Sequence, residues 1–449
     1  APCIEICPTV SLFRRLDGIV DFDGERCIGC KSCMQACPYD ALYIEPNSNT
    51  AAKCNFCAHR VELGLKPSCE IVCPTQAILS GDLDDPTSKV SHYVSTQNVS
   101  KRKPEKGTVP KLFYSGVDID LLQPTMMEPQ STHLWAEKQQ GEDKFALLEG
   151  NNGTSSLAST REVYDVPHTH SWGRMIVSYL WTKSIAAGVL LVAAILLGAG
   201  RGAETVLFNV VSPVLALLFV CATTLLLVFD LKRPDRFFYI LTKPNPRSWL
   251  VIGGYVLIIY GLLAALWLFF GLVSGSVPGI LFWPAAILAI GTAGYSAFLF
   301  AQAKGRDMWQ SPLFFWHLLL QAITAGSATL IIFGSTLQAG ASIMEPLAIT
   351  LSASLILTLA IILGEITPAP KSEDAKRAIH LLKKGSLSGW FWGIAIGLGA
   401  LLPLILILWS AFQVGADHTL ITSASILALV GLWTFEDLWV KAGQAFPLS

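Results

Sequence analysis

The sequence predicts two chemically different parts in one chain: a small N-terminal α+β module organised by cysteines, then a C-terminal all-α membrane domain of eight transmembrane helices in two parallel four-helix repeats. Three observations carry this expectation. Ten of the eleven cysteines lie within the first 73 residues. The 449 residues are 52% hydrophobic and 14% charged, with mean hydropathy +0.50, too apolar for an ordinary soluble protein. The apolar residues gather after residue 175 in runs long enough to cross a bilayer. A net charge of −1 and the lack of a basic stripe interleaved with aromatics leave nucleic acid out as an expected partner. The chain opens at Ala1-Pro2-Cys3 with neither an initiating Met nor a signal peptide, so the natural chain is expected to continue upstream.

The cysteines fall into three groups: Cys3 with Cys7; Cys27, Cys30, Cys33 and Cys37; then Cys54, Cys57, Cys69 and Cys73. Each group ends in C-x3-C-P. A C-x2-C-x2-C-x3-C-P run wraps three thiolates round one face of a 4Fe-4S cube and sends the fourth to a different cluster, so such runs work in pairs. Zinc bound by paired C-x2-C elements, or disulfides in a secreted domain, are the competing readings. Neither explains a further cysteine followed by proline three times over. The segments "GIVDFDGERCIGC" and "PYDALYIEP" read as short strands and turns around the clusters.

On those motifs, residues 1 to 120 resemble the four-cluster ferredoxin-type electron-transfer subunit of the complex iron-sulfur molybdoenzymes, which makes the module an α+β ferredoxin-like iron-sulfur domain. The resemblance implies that Cys27, Cys30, Cys33 and Cys7 complete one 4Fe-4S cluster within this chain. It implies that Cys3 and Cys37 belong to a second cluster, that Cys54, Cys57 and Cys69 hold most of a third, and that Cys73 serves a fourth. The missing ligands would lie upstream, in about 100 residues carrying six more cysteines. A pairing confined to this chain joins Cys27, Cys30 and Cys33 with Cys73, and Cys54, Cys57 and Cys69 with Cys37, leaving Cys3 and Cys7 idle. The expected domains are residues 1–95 for the clusters, 96–170 for an extended linker or docking arm rich in Pro, Gly, Ser, Thr and charge, and 171–449 for the membrane.

Eight apolar runs are expected as helices near residues 176–200, 207–230, 248–273, 278–302, 312–334, 344–365, 389–412 and 419–440. The face bearing the cluster module is flanked by Lys232, Arg233, Arg236, Lys243, Arg247, Lys304, Arg306, Lys371, Lys376, Arg377, Lys383, Lys384 and Lys441, the opposite face by Arg201 alone. The positive-inside rule therefore expects an integral, multi-pass inner-membrane protein with its clusters in the cytoplasm. The periplasmic side is the alternative, with the basic residues docking a partner instead. "WTKSIAAG" (181–188) is echoed by "WHLLLQAITAG" (316–326), and Asp230, Arg236 and Trp249 by Glu365, Arg377 and Trp390. Both copies begin on the same face, which is the basis for two parallel repeats.

Ionisable groups within lipid-level segments default to function. The candidates are Lys183, Asp230, His317 with Gln321, Glu365, and Glu436 with Asp437, all toward the cluster-bearing face. Glu436, Asp437 and Lys441 read as interfacial residues whose charges snorkel to the headgroups, and Tyr179, Trp181, Trp249 and Trp309 as an aromatic belt. Cys221 reads as a packed small hydrophobe. Of eight histidines only His317 lies clearly within a run, so a haem with two histidine ligands is not expected. The eight-helix pattern, with "RPDRFFYILTKPNPRSW" and "SPLFFWHLLLQAITAG", resembles the NrfD-like membrane subunits of the polysulfide reductase type. That resemblance implies a quinone site, for menaquinone or ubiquinone, here formed by Lys183, Asp230 and His317. The joint expectation is an electron-transfer and anchor subunit that exchanges electrons between the membrane quinone pool and a molybdopterin-type or related catalytic subunit. Other membrane or electron-transfer subunits and membrane lipid are the further partners, and the substrate chemistry lies on another subunit. Redox-coupled proton or ion translocation, and a bare anchor without a quinone site, are the alternatives.

Overall fold

The computed structural model describes residues 1–122, 171–201, 205–367, 372–412, 418–446 and 448. The cluster module is built on two short helices, Pro2–Ile6 and Ser32–Ala36, which pack on each other. Each carries a C-x3-C pair, and each ends where a proline follows the second cysteine. Proline disfavours helical backbone in the residue before it, and Cys7 (ψ 118) and Cys37 (ψ 115) are accordingly extended. The last thiol of each motif thus leaves the helix in a new direction.

Three antiparallel ribbons complete the module. Strand β1 (Leu12–Arg14) pairs with β2 (Val20–Phe22), β3 (Tyr43–Glu45) with β4 (Thr50–Ala52), and β5 (Val99–Ser100) with β6 (Tyr114–Ser115). The segments expected as strands thus contain β2 and β3. The reversal between β1 and β2 runs through Gly18 at φ +87, a conformation glycine adopts at no steric cost. The β5–β6 ribbon and Lys103, whose Nζ donates to the Leu448 carbonyl over 2.8 Å, lie in the segment expected as a linker, most of which (123–170) is outside the described residues.

Among the described residues eight helices are long and apolar enough to cross a membrane: α1 (Arg174–Gly198), α2 (Leu207–Asp230), α3 (Trp249–Val273), α4 (Gly279–Gln302), α5 (Phe314–Thr336), α6 (Ala341–Ile366), α7 (Trp390–Ser410) and α8 (His418–Gln444). They coincide with the eight apolar runs to within a few residues, α8 reaching further toward the cluster-bearing face. Sequential pairs pack as hairpins; α4 also lies on α1, and α8 on α5. A helix buried on all sides must fit its neighbours closely, and α1 and α5 manage this with glycine. A Cβ on Gly188 would fall 1.8 Å from the Ala322 carbonyl oxygen, and one on Gly326 would fall 2.1 Å from the Gly188 carbonyl carbon. These glycines end the two echoed segments. Close backbone approach through small residues is how helices gain dispersion energy where lipid offers no hydrophobic drive.

The helix α2 turns much of its apolar surface outward, as a lipid-facing helix does. Cys221 is exposed on that surface, contrary to its reading as a packed small hydrophobe, because among the described residues its side of α2 is turned outward. Tyr179 and Trp309, read as belt residues, are buried at 2% and 1% exposure. Between α6 and α7 an amphipathic helix, Glu373–Lys383, is capped by the Ser372 side chain and buries Ala375, Ala378 and Leu382.

Candidate functional site

The cluster-bearing end contains a small cavity walled by Cys7, Cys27, Cys30 and Cys33, with Lys31, Ile28 and Ala51 also on its wall. The C-x2-C-x2-C loop reverses at Gly29 (φ +69) and Lys31 (φ +62), which lets three thiols face one space. Backbone N–H groups of Gly29 and Ala51 point at the Cys27 sulfur, at 3.4 and 3.3 Å. Such N–H···S contacts stabilise negative charge on a thiolate. Burial pushes the thiols up, Cys30 to about 12 and Cys3 to about 11, the latter aided by neighbouring Cys37. A thiolate there needs a cation to hold it, which a metal cluster supplies.

The second half of the module is more open. Cys54 and Cys69 are exposed, and Cys57 and Cys73 partly so. Hydrogen bonds from Thr75 and from the backbone at Ile78 and Ala77 hold the Cys73 thiol below its ordinary value.

The membrane domain grips the walled cavity from below. Asn245 Nδ2 donates to the Cys7 carbonyl over 2.7 Å, and Arg236 to those of Gly24 and Cys27 at 2.7 and 3.3 Å. Ser248 donates to the Ile6 carbonyl at 2.7 Å, and the backbone N–H groups of Lys232 and Arg233 donate to Gly29 and Ile28, both at 3.2 Å. A second contact line runs through Gln35, whose amide donates to Gln444 at 2.8 Å and whose oxygen accepts from Arg306 at 2.7 Å. All these groups except Gln444 and Arg306 come from the module itself or from the segment "RPDRFFYILTKPNPRSW" and the lysine just before it, which is therefore a docking loop.

The three residues expected to form one site have different partners. Asp230, at the end of α2, pairs with Lys31 of the cluster module over 3.0 Å. Lys183 is fully buried, its Nζ donating to the Ala293 carbonyl at 2.7 Å and to Ser296 Oγ at 2.9 Å on α4. Its side chain faces Tyr295 and Tyr179, with Glu436 of α8 as its acidic neighbour. His317 Nδ1 lies 3.0 Å from Glu365 Oε2, while Glu365 Oε1 accepts from Ser311 at 2.9 Å. Ring contacts join His317 to Phe435 at 4.8 Å and Trp439 at 5.9 Å.

Glu436 corrects the snorkelling reading. It is 3% exposed, and neither carboxylate oxygen has a hydrogen-bond partner; the packing of α8 against its neighbours encloses it within the protein. Asp437 instead pairs with the half-exposed Lys441 over 2.5 Å. His317 Nε2, Gln321 Oε1 and Trp439 Nε1 are likewise buried and unpartnered. His317 and Gln321 lie four residues apart on α5 and Trp439 faces His317 from α8, while Glu436, three residues before Trp439, neighbours Lys183 of α1. Buried polar groups without partners mark a place for a ligand or water.

Rings connect the two regions. Trp172, whose Nε1 donates to the Cys30 carbonyl at 3.5 Å, touches Phe300 at 5.2 Å; Phe300 touches Phe314 at 5.4 Å; and Phe314 touches His317 at 6.5 Å. Neither Trp172 nor Asn245 was legible as a site residue, since each acts through tertiary contact alone.

Residues 162–447 match the family model described as polysulphide reductase, NrfD. The chain belongs to the NrfD family. Residues 1–83 match a 4Fe-4S dicluster domain, so an iron-sulfur module is fused here to an NrfD-type, multi-pass membrane domain. A tetrathionate reductase subunit of Salmonella typhimurium is 44% identical over 138 residues, covering 30% of this chain and 55% of that protein. A polysulfide reductase polypeptide of Wolinella succinogenes is 42% identical over 113 residues, 25% of this chain and 59% of its own, and Protein NrfC of Escherichia coli (strain K12) is 42% identical over 115 residues, 25% and 52%. The chain spans about half the length of the curated relatives it matches.

The grip on the cavity has a measurable consequence. Replacing Asn245 with Ala leaves the buried Cys7 carbonyl unsatisfied, a cost of about 1–3 kcal/mol. Hydrogen exchange should rise in residues 4–9 of N245A while helices α5 and α6 keep their protection; unchanged exchange there would show that the contact does not hold the module.

Proposed function

We propose that this chain passes electrons between 4Fe-4S clusters and a membrane quinone on behalf of a separate catalytic subunit. The observation that carries the reading is the ring-packed connection from the Cys30 loop to the unpartnered Nε2 of His317. Cys7, Cys27, Cys30 and Cys33 hold the cluster nearest the membrane. Their shared cavity supports this set over the pairing of Cys27, Cys30 and Cys33 with Cys73. Cys3 and Cys37, electrostatic neighbours, serve a second cluster. Cys54, Cys57 and Cys69 serve a third, and Cys73 a fourth. The clusters supply one-electron carriage. The C30A variant should lose one 4Fe-4S signal by electron paramagnetic resonance; an unchanged cluster count would overturn the ligand set.

The quinone head, menaquinone or ubiquinone, sits at the α5–α8 seam near His317 and Lys183. Reduction of a quinone takes two electrons and two protons, so its oxygens need partners that carry hydrogen. Glu365 fixes Nδ1 of His317 as a donor, which leaves Nε2 to face the quinone. The charged ring donates from Nε2 to a quinone oxygen; the neutral ring accepts the proton of a hydroquinone. Lys183 is the second candidate donor, with the unpartnered carboxyl of Glu436 as its acidic neighbour. Asp230 belongs to the docking interface rather than to this pocket. In H317A, quinol-linked turnover should fall about 100-fold, while dye reduction by the clusters continues. Full quinone turnover in H317A would move the pocket elsewhere.

The catalytic partner is a reductase subunit, which the names of the relatives support, two of them belonging to tetrathionate and polysulfide reductases. The molybdopterin type rests on the resemblance of the cysteine motifs alone. The excess of Lys and Arg on the cluster side supports a cytoplasmic placement. One observation favours the periplasmic reading: Arg233, Arg236 and Arg306 donate to Ser48, to Gly24 and Cys27, and to Gln35 of the cluster module, so part of that excess serves docking. A reporter fused after Ser449 decides between them, the cytoplasmic placement predicting activity only in the cytoplasm.

A further inference from the structure

Lys31 stands between two ligands of the membrane-side cavity, Cys30 and Cys33, and is itself part of the cavity wall. Its Nζ lies 3.0 Å from Asp230, with the two side chains 11% and 12% exposed. The contact is built rather than incidental. Lys31 takes a left-handed backbone at φ +62, and Gly29 beside it has no room for a side chain, since a Cβ would meet Lys232 Cβ at 2.6 Å. Backbone N–H groups of Lys232 and Arg233 fasten the same loop through Gly29 and Ile28. Thus the cation on the cavity wall is paired by a carboxylate that arrives on a membrane helix.

A 4Fe-4S cluster gains one negative charge when it takes up one electron, with no bond made and no proton required. A cation at its wall stabilises the reduced form, and a carboxylate beside that cation offsets the effect. The pair is nearly sealed from water, so salt screens it weakly, and net charge near a cluster is one of the levers on its reduction potential. The other charged groups here are Lys232, which acts on Asp230, Arg233, which acts on Cys27, and Arg236, which donates to the Cys27 carbonyl. All three belong to the docking loop and stay in place when Lys31 or Asp230 is replaced.

We propose that Asp230 is a positioning residue for the membrane-side cluster: through Lys31 it holds that cluster at a lower reduction potential than the cluster would have without that carboxylate. The proposal rests on the ligand set Cys7, Cys27, Cys30 and Cys33. Docking of the module then sets the energy of the electron delivered to the membrane.

The test is a mediator-controlled redox titration of the full chain in its purified complex, without quinone, read by electron paramagnetic resonance. In D230N the midpoint of the signal that C30A removes should shift upward. In K31Q it should shift downward, in D230E it should stay at the parent value, and the K31Q/D230N double variant should show much less than the D230N shift. An unmoved midpoint in D230N overturns the proposal, as does a D230N shift of full size in the K31Q background, which would make Asp230 act independently of Lys31. Iron and acid-labile sulfide analysis shows whether each variant keeps its clusters. Should D230N lose iron, K31Q carries the test, and an unmoved midpoint there overturns it. Loss of no signal in C30A sinks the ligand set instead, so the two failures are distinct.

Discussion

The backbone carbonyls of the cluster loops are satisfied by the membrane domain, and the rest of the architecture depends on that. A loop that wraps a cluster cannot form a regular ladder, so its carbonyl oxygens need outside donors once water is excluded. Asn245, Arg236 and Ser248 supply them at Cys7, Cys27 and Ile6. The cavity walled by Cys7, Cys27, Cys30 and Cys33 is consequently pressed against the membrane helices, whereas Cys54 and Cys69 are turned outward. The same contacts decide which cluster position is next to the lipid phase.

Below the junction the interior is divided between tight apolar packing and a few polar groups. Glycine contacts between α1 and α5, and between Gly399 of α7 and Gly431 of α8, bring backbones close enough to exclude water. In so dry a setting an unpaired charge is costly, and the protein meets that cost in two ways. Lys183 and His317 are partnered, by Ser296 with the Ala293 carbonyl and by Glu365. Glu436, Gln321, Trp439 and the outer nitrogen of His317 are left open on α5 and α8. The contrast between closed and open polar groups, rather than the presence of ionisable residues as such, sets this region apart.

Asp230 and Glu365 show how equivalent-looking residues diverge. Each is an acid at the end of a helix that returns to the cluster-bearing face. Glu365 turns inward to orient a histidine, whereas Asp230 meets a lysine of the other domain. Position along a helix decides depth; the neighbours decide the role.

By itself the sequence determined the two-part organisation, the eight membrane helices and the cysteine motifs, because these depend on local quantities: run length against bilayer thickness, thiol spacing, and proline after cysteine. It also brought forward Lys183 and His317, since charge within an apolar run is rare enough to be noticed. What it could not determine was which groups meet. That Cys7 joins Cys27, Cys30 and Cys33 round one cavity, that Asp230 answers Lys31 from the far domain, and that Glu436 is buried while its neighbour Asp437 pairs with Lys441, are outcomes of helix packing and docking. Such contacts carry no periodicity along the chain. Only the tertiary structure decides them, because burial and partnership are properties of surfaces brought together and not of the residues one at a time.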